Sequence, residues 1–174
     1  MGVSYDYILK NNLTVGASLL YEKCGFDIDA ILTDNHGNPI GQKLVTYFNY
    51  DYLTVPIQVG FFYGQTFYCF ANIGLTPAML IDAQTSSPEI IINEEVVLPY
   101  ESHNLTDRVN KLDVGGIVVI GGGYKLKGRY WLFSSLSFQH SFTTITNSSY
   151  FANSKIRHYG IALNLGLKYA LTKE

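Results

Sequence analysis

Between Tyr159 and Tyr169 the chain reads Tyr-Gly-Ile-Ala-Leu-Asn-Leu-Gly-Leu-Lys-Tyr, a strict alternation of two kinds of residue. Successive side chains on a β-strand point to opposite faces, so one face carries Tyr159, Ile161, Leu163, Leu165, Leu167 and Tyr169. The other carries His158, Gly160, Ala162, Asn164, Gly166 and Lys168. A half-buried strand of a water-soluble protein sets Lys, Glu or Thr opposite its apolar row, whereas Gly, Ala and Asn suit a cramped interior. The ten steps cover about 33 Å, which a strand tilt near 40° projects to roughly 25 Å, the height of the apolar band of a membrane barrel. A tyrosine stands at each end, where an aromatic girdle belongs. The segment reads as a lipid-facing strand.

The remainder of the composition agrees with that reading. A chain of 174 residues is one ordinary domain, 1–174, long enough for a core or a small closed barrel. Charged residues make up only 15%, while 14 Tyr and 10 Phe lift the aromatic share to 14%, so charge is being withheld from part of the surface. The net charge of −2 and the lack of a Lys/Arg cluster argue against nucleic acid as a partner. No apolar run approaches the length of about 20 residues that a membrane helix needs, so a membrane reading requires a β-barrel.

Seven segments alternate in the manner of the last one, separated by turn formers. The first runs from Val3 to Leu9 and ends at Lys10-Asn11-Asn12. The second starts at Leu13, shows Leu13, Val15, Ala17, Leu19 and Tyr21 outward, and continues past the membrane band to about Ile31 before the loop Thr33 to Pro39. The third, Leu44 to Tyr63, sets Leu53, Val55, Ile57, Val59, Phe61 and Tyr63 against Thr54, Pro56, Gln58 and Gly60; Pro56 cannot donate to a ladder and predicts a bulge. The fourth starts at Phe67 and fades near Asp82. A long connection from Thr85 to Asn110 contains apolar stretches on either side of Asn93-Glu94-Glu95, the pattern of a hairpin above the membrane. The fifth runs from Leu112 to Tyr124 and the sixth starts at Tyr130; the polar loop Thr146 to Ser154 precedes the seventh. No segment has helical periodicity.

The connections after the first, third and fifth segments are short and those after the second, fourth and sixth are long, the asymmetry of periplasmic turns and external loops. This sets the C-terminus in the periplasm and the first segment descending from outside. Bacterial single-chain barrels have an even strand number with both ends inside. The expectation is therefore an antiparallel up-and-down transmembrane β-barrel of eight strands, seven of them visible, with the first strand and any signal peptide missing before Met1.

The order of several short motifs resembles the PorT-like outer-membrane β-barrel proteins of Bacteroidetes. The residues concerned are Tyr52-Leu53-Thr54-Val55-Pro56-Ile57, Phe61-Phe62-Tyr63-Gly64, Ala71-Asn72-Ile73-Gly74-Leu75-Thr76-Pro77, Asp113-Val114-Gly115-Gly116 and Leu163-Asn164-Leu165-Gly166-Leu167-Lys168-Tyr169. The resemblance implies an eight-stranded barrel in the outer membrane of a Gram-negative bacterium, in a family whose named member is associated with protein secretion. The chain departs from that family at its N-terminus, where a signal peptide and a first strand are expected.

Glu22, Asp113 and His158 fall on inward faces toward the external end, and Asp6, Lys125 and Lys168 on inward faces toward the periplasmic end. A barrel of eight strands has no room for an aqueous pore, so these groups are expected to pair with one another inside. His140 follows Phe138 on the lipid-facing row. Outer-membrane lipid A deacylases use an outward histidine with a serine two positions on, but that position here is Phe142 and Ser141 points inward, so no triad forms. His36 and His103 lie in separate loops without metal-ligand spacing. Gly121-Gly122-Gly123-Tyr124-Lys125 lacks the spacing of a phosphate loop and is read as close packing in a narrow interior. Cys24 and Cys69 fall near opposite ends of the barrel, too far apart for a disulfide, and are expected to be free thiols.

No catalytic, cofactor-binding or metal site is expected. The leading expectation is a non-enzymatic outer-membrane barrel with a structural, binding or secretion-associated role. Its partners would be outer-membrane lipid and lipopolysaccharide, and a protein engaged through the external loops or the periplasmic end. A soluble lipocalin-like barrel is the alternative and requires Leu163, Leu165 and Leu167 to point inward around a ligand. An outer-membrane lipid-modifying enzyme needs a serine, a histidine and an acid converging at the rim.

Overall fold

The computed structural model describes residues 1–33, 36–92, 95–146 and 156–171. It is all-β, with one 3-10 turn at Lys10–Asn12, and among the described residues no helix is long and apolar enough to cross a membrane. The strands are β1 (Gly2–Ile8), β2 (Leu13–Thr33), β3 (Pro39–Thr54), β4 (Ile57–Gly64), β5 (Phe67–Ser87), β6 (Ile90–Ile92), β7 (Glu95–Leu98), β8 (Glu101–Asn104), β9 (Leu112–Lys125), β10 (Tyr130–Ser141) and β11 (Tyr159–Tyr169). Every pairing is antiparallel.

Nine strands form one up-and-down sheet in the order β1-β2-β3-β5-β9-β10-β11, in which β4 takes over from β3 between β2 and β5, and β8 pairs with β5. The third expected segment is thus two strands. The break falls at Val55-Pro56, where a proline has no N–H to give, and the neighbouring strands hold the gap through Ser18 N–H to Pro56 O and Val55 N–H to Pro77 O. The hairpin above the sheet is β6 paired with β7; its tip at 93–94 lies outside the described residues, as does most of the polar loop from Thr146 to Ser154.

The short connections are built from residues that tolerate the left-handed region: Asn11 and Asn12 (φ 64° and 61°), Gly64 (φ 115°) and Gly128 (φ 78°). All three lie at one end of the sheet, and the long connections lie at the other. Expectation and structure differ on β5. Rather than fading near Asp82, it continues to Ser87 through a register shift opposite Asp51 and Tyr52, where one extra residue flips the alternation.

Outer and inner faces are distinct chemistries. On β4, Ile57, Val59 and Phe61 are 53%, 49% and 64% exposed while Gly60 between them is buried; the outer row of β11 is more exposed still, with Leu163, Leu165 and Leu167 at 71%, 74% and 67%. Leucines in that position oppose the inward orientation that a lipocalin-like barrel requires. The sheet curls until side chains from remote strands meet on the inner face. Phe62 of β4 packs edge-on against Trp131 of β10 with centroids 6.0 Å apart, and Lys168 of β11 reaches Asp6 of β1 at 2.6 Å. Among the described residues β1 and β11 are not joined by a backbone ladder.

Candidate functional site

The inner face is filled in layers, and the order of the layers decides what the interior can do. Toward the short turns lies an aromatic layer. Tyr68 stands 5.1 Å from Phe62 and 5.0 Å from Trp131, and Phe70 meets Phe133 at 6.5 Å. Two inward lysines lie over these rings, Lys125 at 4.9 Å from Trp131, and Lys168 at 4.9 Å from Phe70 and 5.2 Å from Phe133. The Lys168–Asp6 pair is thus half enclosed by rings, with about a third of each side chain still exposed. The glycine run of β9 makes room for this layer. A Cβ on Gly121 would lie 2.6 Å from Phe70 Cζ, and one on Gly123 would strike the Tyr68 hydroxyl at 2.6 Å, so the run is close packing as expected and not a phosphate cradle.

The middle layer is polar and small. Asn164 Nδ2 donates to the Ser137 hydroxyl at 3.1 Å, and Asn72 Nδ2 to Gln58 Oε1 at 3.3 Å. Asn, Ser and Gln serve here because each can satisfy its neighbour without a charge to desolvate.

Toward the long loops an apolar plug closes the inner space. Tyr50, Tyr52, Ala78, Leu80 and Ala83 of β3 and β5 pack with Leu105, Val109 and Ile145 from the connections, and Cys24, Phe26, Phe48 and Ile156 flank them. Backbone bonds lash the loops in place, with Leu105 N–H donating to Ala83 O at 2.7 Å and Asn110 N–H to Ile145 O at 2.8 Å.

The three inward groups beside this plug each found a hydroxyl or thiol neighbour, not one another, which corrects the expected mutual pairing. Glu22 Oε2 accepts from the Thr54 hydroxyl at 2.7 Å; Asp113 accepts from the hydroxyls of Ser141 and Thr143. His158 Nε2 lies 3.4 Å from the Tyr52 hydroxyl and 4.0 Å from Cys24 Sγ, with the rings of Tyr50 and Tyr52 edge-on to the imidazole. The physical reason is strand register. Carboxylates on β2 and β9 and an imidazole at the start of β11 are separated by intervening strands, so each meets its nearest donors first. Burial lowers the His158 pKa although Asp113 pulls it the other way, which keeps the ring neutral near pH 7. Burial pushes the Cys24 thiol up to about 12, with the charges of Glu22, Asp113 and Asp51 adding to it. A thiol held so far from ionisation is not a nucleophile.

The structure brings Ser141 and Asp113 together, a contact sequence reasoning missed. A triad still lacks its base, because the Ser141 hydroxyl donates to the carboxylate and His140 stands on the opposite, exposed face, with Nδ1 3.3 Å from His158 O. His103 pairs with Glu101 at 3.4 Å on an exposed strand, and His36 is an exposed turn residue. Among the described residues no three His, Cys, Asp or Glu side chains converge as a metal site. Both cysteines are free, Cys24 half-buried and Cys69 exposed on the outer row.

On the outside the apolar row ends abruptly at one level. Tyr21, Leu53 and Met79 are neighbours across β2, β3 and β5, and the next outward residues are Lys23, Asp51 and Asp82. Those charges are tied down at the boundary: Asp51 accepts from the Tyr21 hydroxyl and pairs with Lys23 at 3.7 Å, while Asp82 accepts from Gln84 at 2.8 Å and Asn104 at 3.0 Å. At the opposite end Tyr7, Tyr63, Phe67, Tyr124, Tyr130 and Tyr169 are exposed and ring the sheet above turns that carry Lys10, Lys127 and Arg129. Apolar between two aromatic and charged borders, this is the outline of a lipid belt.

A family model described as outer membrane protein beta-barrel domain matches residues 1–147. No curated protein and no solved structure matches the chain.

Proposed function

Because the chain belongs to the outer membrane protein beta-barrel domain family, and is therefore an outer-membrane protein of a Gram-negative bacterium, we propose that it acts there without catalysis, as a structural and binding barrel. The observation that carries this is the contrast between an uninterrupted apolar belt outside and a packed inner face. An interior occupied by aromatic rings, paired amides and an apolar plug offers neither a water path nor a substrate pocket. The groups that could do chemistry, Cys24, His158, Asp113 and Ser141, are each held by a neighbour that opposes activation. Binding falls to the surfaces left over, the external sheet and loops for a protein partner and the belt for outer-membrane lipid and lipopolysaccharide. Within the family we place the chain with the PorT-like proteins of Bacteroidetes, on the motifs from Tyr52 to Ile57 and from Ala71 to Pro77, and its role there is secretion-associated.

The test is expression in a Gram-negative outer membrane, followed by fractionation, mass spectrometry of lipid A, and single-channel recording on the purified protein in planar bilayers. The expected result is an outer-membrane protein with unaltered lipid A and no steady conductance. Loss of an acyl chain from lipid A that depends on His140 or Ser141 would overturn the non-catalytic reading. A stable open conductance would overturn the sealed interior.

A further inference from the structure

Beyond the lipid belt, β2 keeps going after its neighbour has stopped. β1 covers β2 only as far as the pair Gly2 and Leu20, followed by Met1, whose backbone N and O are both bonded to Tyr21. From Glu22 to Thr33 β2 pairs with β3 on one side, and among the described residues nothing pairs with its other side. Hydrogen-bonding direction alternates along an antiparallel strand. Since Tyr21 gives both its N–H and C=O to the Met1 side, Lys23, Gly25, Asp27, Asp29 and Ile31 direct theirs to the same open side. That is a row about 30 Å long of backbone donors and acceptors.

Proteins blunt such edges with prolines, bulges or charge. Between Lys23 and Ile31 there is no proline, and the ladder to β3 is regular until the shift between Ile31 and Thr33. The charges present select rather than merely exclude. Asp29 is shared with Lys43 at 3.3 Å on β3, and Asp27 carries no ion pair. On the inner side of the same edge Phe26, stacked on Phe48 at 4.8 Å, is only half-buried, and Ile28 is exposed. A strand laid along the edge would cover those apolar side chains on one face and meet carboxylates on the other.

We propose that the edge of β2 from Lys23 to Ile31 is a docking edge for an extended protein segment that alternates basic and apolar side chains and adds to the external sheet as a new strand. Basic residues face Asp27 and Asp29; apolar ones cover Phe26 and Ile28. A second copy of this chain is a poor occupant, because edge-to-edge pairing centred on this stretch sets the carboxylates of Asp27 and Asp29 against their counterparts, and like charges across a strand pair are destabilising. The inference rests on the membrane reading only in placing the edge on the external side.

The test uses the protein in uncharged phosphatidylcholine vesicles and a fluorescent nine-residue peptide alternating Lys and Val as the probe, read by anisotropy and by hydrogen exchange. Binding is expected, with slowed exchange between Lys23 and Ile31. A peptide with Glu in place of Lys, and one of the same composition with the alternation scrambled, should each bind at least about tenfold more weakly, a difference of about 1.4 kcal/mol. Asp27→Pro removes an N–H aimed at the open edge while leaving the bonds of Phe26 and Ile28 to β3, and should weaken binding by about tenfold or more. Asp27→Asn with Asp29→Asn should weaken it less and remove its salt dependence. Protection of the amides facing β3 checks that each variant keeps its fold. Binding indifferent to Asp27→Pro or to alternation overturns the proposal; so does slow exchange along this edge before peptide is added, or a dimer joined through it. Insertion is scored separately by co-flotation. An inserted protein that ignores the peptide overturns the docking edge alone, and a protein that binds the peptide without inserting overturns the membrane reading alone.

Discussion

Ile73 sits midway along the outer row of β5, six residues from Phe67 at the short-turn border and six from Met79 at the external border. Six steps of about 3.3 Å at a tilt near 40° amount to roughly 15 Å along the membrane normal, which puts Ile73 at the centre of the bilayer. A charge there has no water to reach. Ile73→Arg should therefore cost about 2–4 kcal/mol of stability in a bilayer, whereas Phe67→Arg and Met79→Arg at the borders should cost about 0–1 kcal/mol. The measurement is denaturant unfolding from lipid vesicles, followed by the fluorescence of Trp131, the chain's one tryptophan, which is packed against Tyr68 and Phe62. A difference between centre and border of about 2 kcal/mol corresponds to a near thirtyfold change in the folding equilibrium, well above measurement error. If the outer row instead faced water, Ile73→Arg would be an exposed substitution with an effect within about 0.5 kcal/mol, the same at all three sites. A flat profile along β5 would falsify the lipid belt.

Three further outcomes follow from the interior. The Lys168–Asp6 pair couples the first and last strands of the sheet; with a third of each side chain still in contact with solvent, a double-mutant cycle with Lys168→Met and Asp6→Asn should give a coupling of about 1 kcal/mol or less that shrinks as salt is added. His158 has a folded pKa below its ordinary value of 6.5, so its contribution is complete above that value and is lost as pH falls from about 6.5 through the lowered folded pKa, while the unfolded chain takes up its proton first. Unfolding midpoints should accordingly drop on going from about pH 7.5 to about 5.5, and His158→Gln should flatten that part of the profile. Cys24, pushed up to about 12 and half-buried, should resist a water-soluble maleimide at neutral pH in the folded protein and react in denaturant, so mass spectrometry that finds rapid labelling of Cys24 in the native state would refute its placement beside His158.

Most of the sheet could be read from the chain because each spanning strand carries a two-residue period with small or polar residues on the second face, and that pattern survives translation into structure nearly residue for residue. Tyr159–Tyr169 kept its bounds, and the interruption at Val55-Pro56 came where a missing N–H demanded it. What could not be read depends on register between distant strands or on residues without a period. The extra residue near Ile81 shifts parity, so the stretch after it no longer looked like a continuation of β5. Leu105, Val109 and Ile145 lie in connections with no alternation to betray them, yet they supply the plug. Ser141 and Asp113 are 28 positions apart and meet because Ser141 pairs with Gly115 across β9 and β10.

The plug and the aromatic layer bear on function together. Either one alone would leave a pocket open to one side of the membrane, a cup that could hold a ligand or a reacting group. With Tyr50, Leu80 and Leu105 closing the loop end and Phe62, Tyr68 and Trp131 filling the turn end, the polar groups between them are committed to each other. Opening either layer exposes unpaired Asn and Ser groups to a low-dielectric wall, which is costly, so the interior behaves as a solid body rather than a gated one. Recognition then has to occur where backbone or charge remains uncommitted outside the bilayer, and the stretch of β2 beyond Tyr21 meets that condition with its open backbone edge and the Asp27 carboxylate beside a partly covered Phe26.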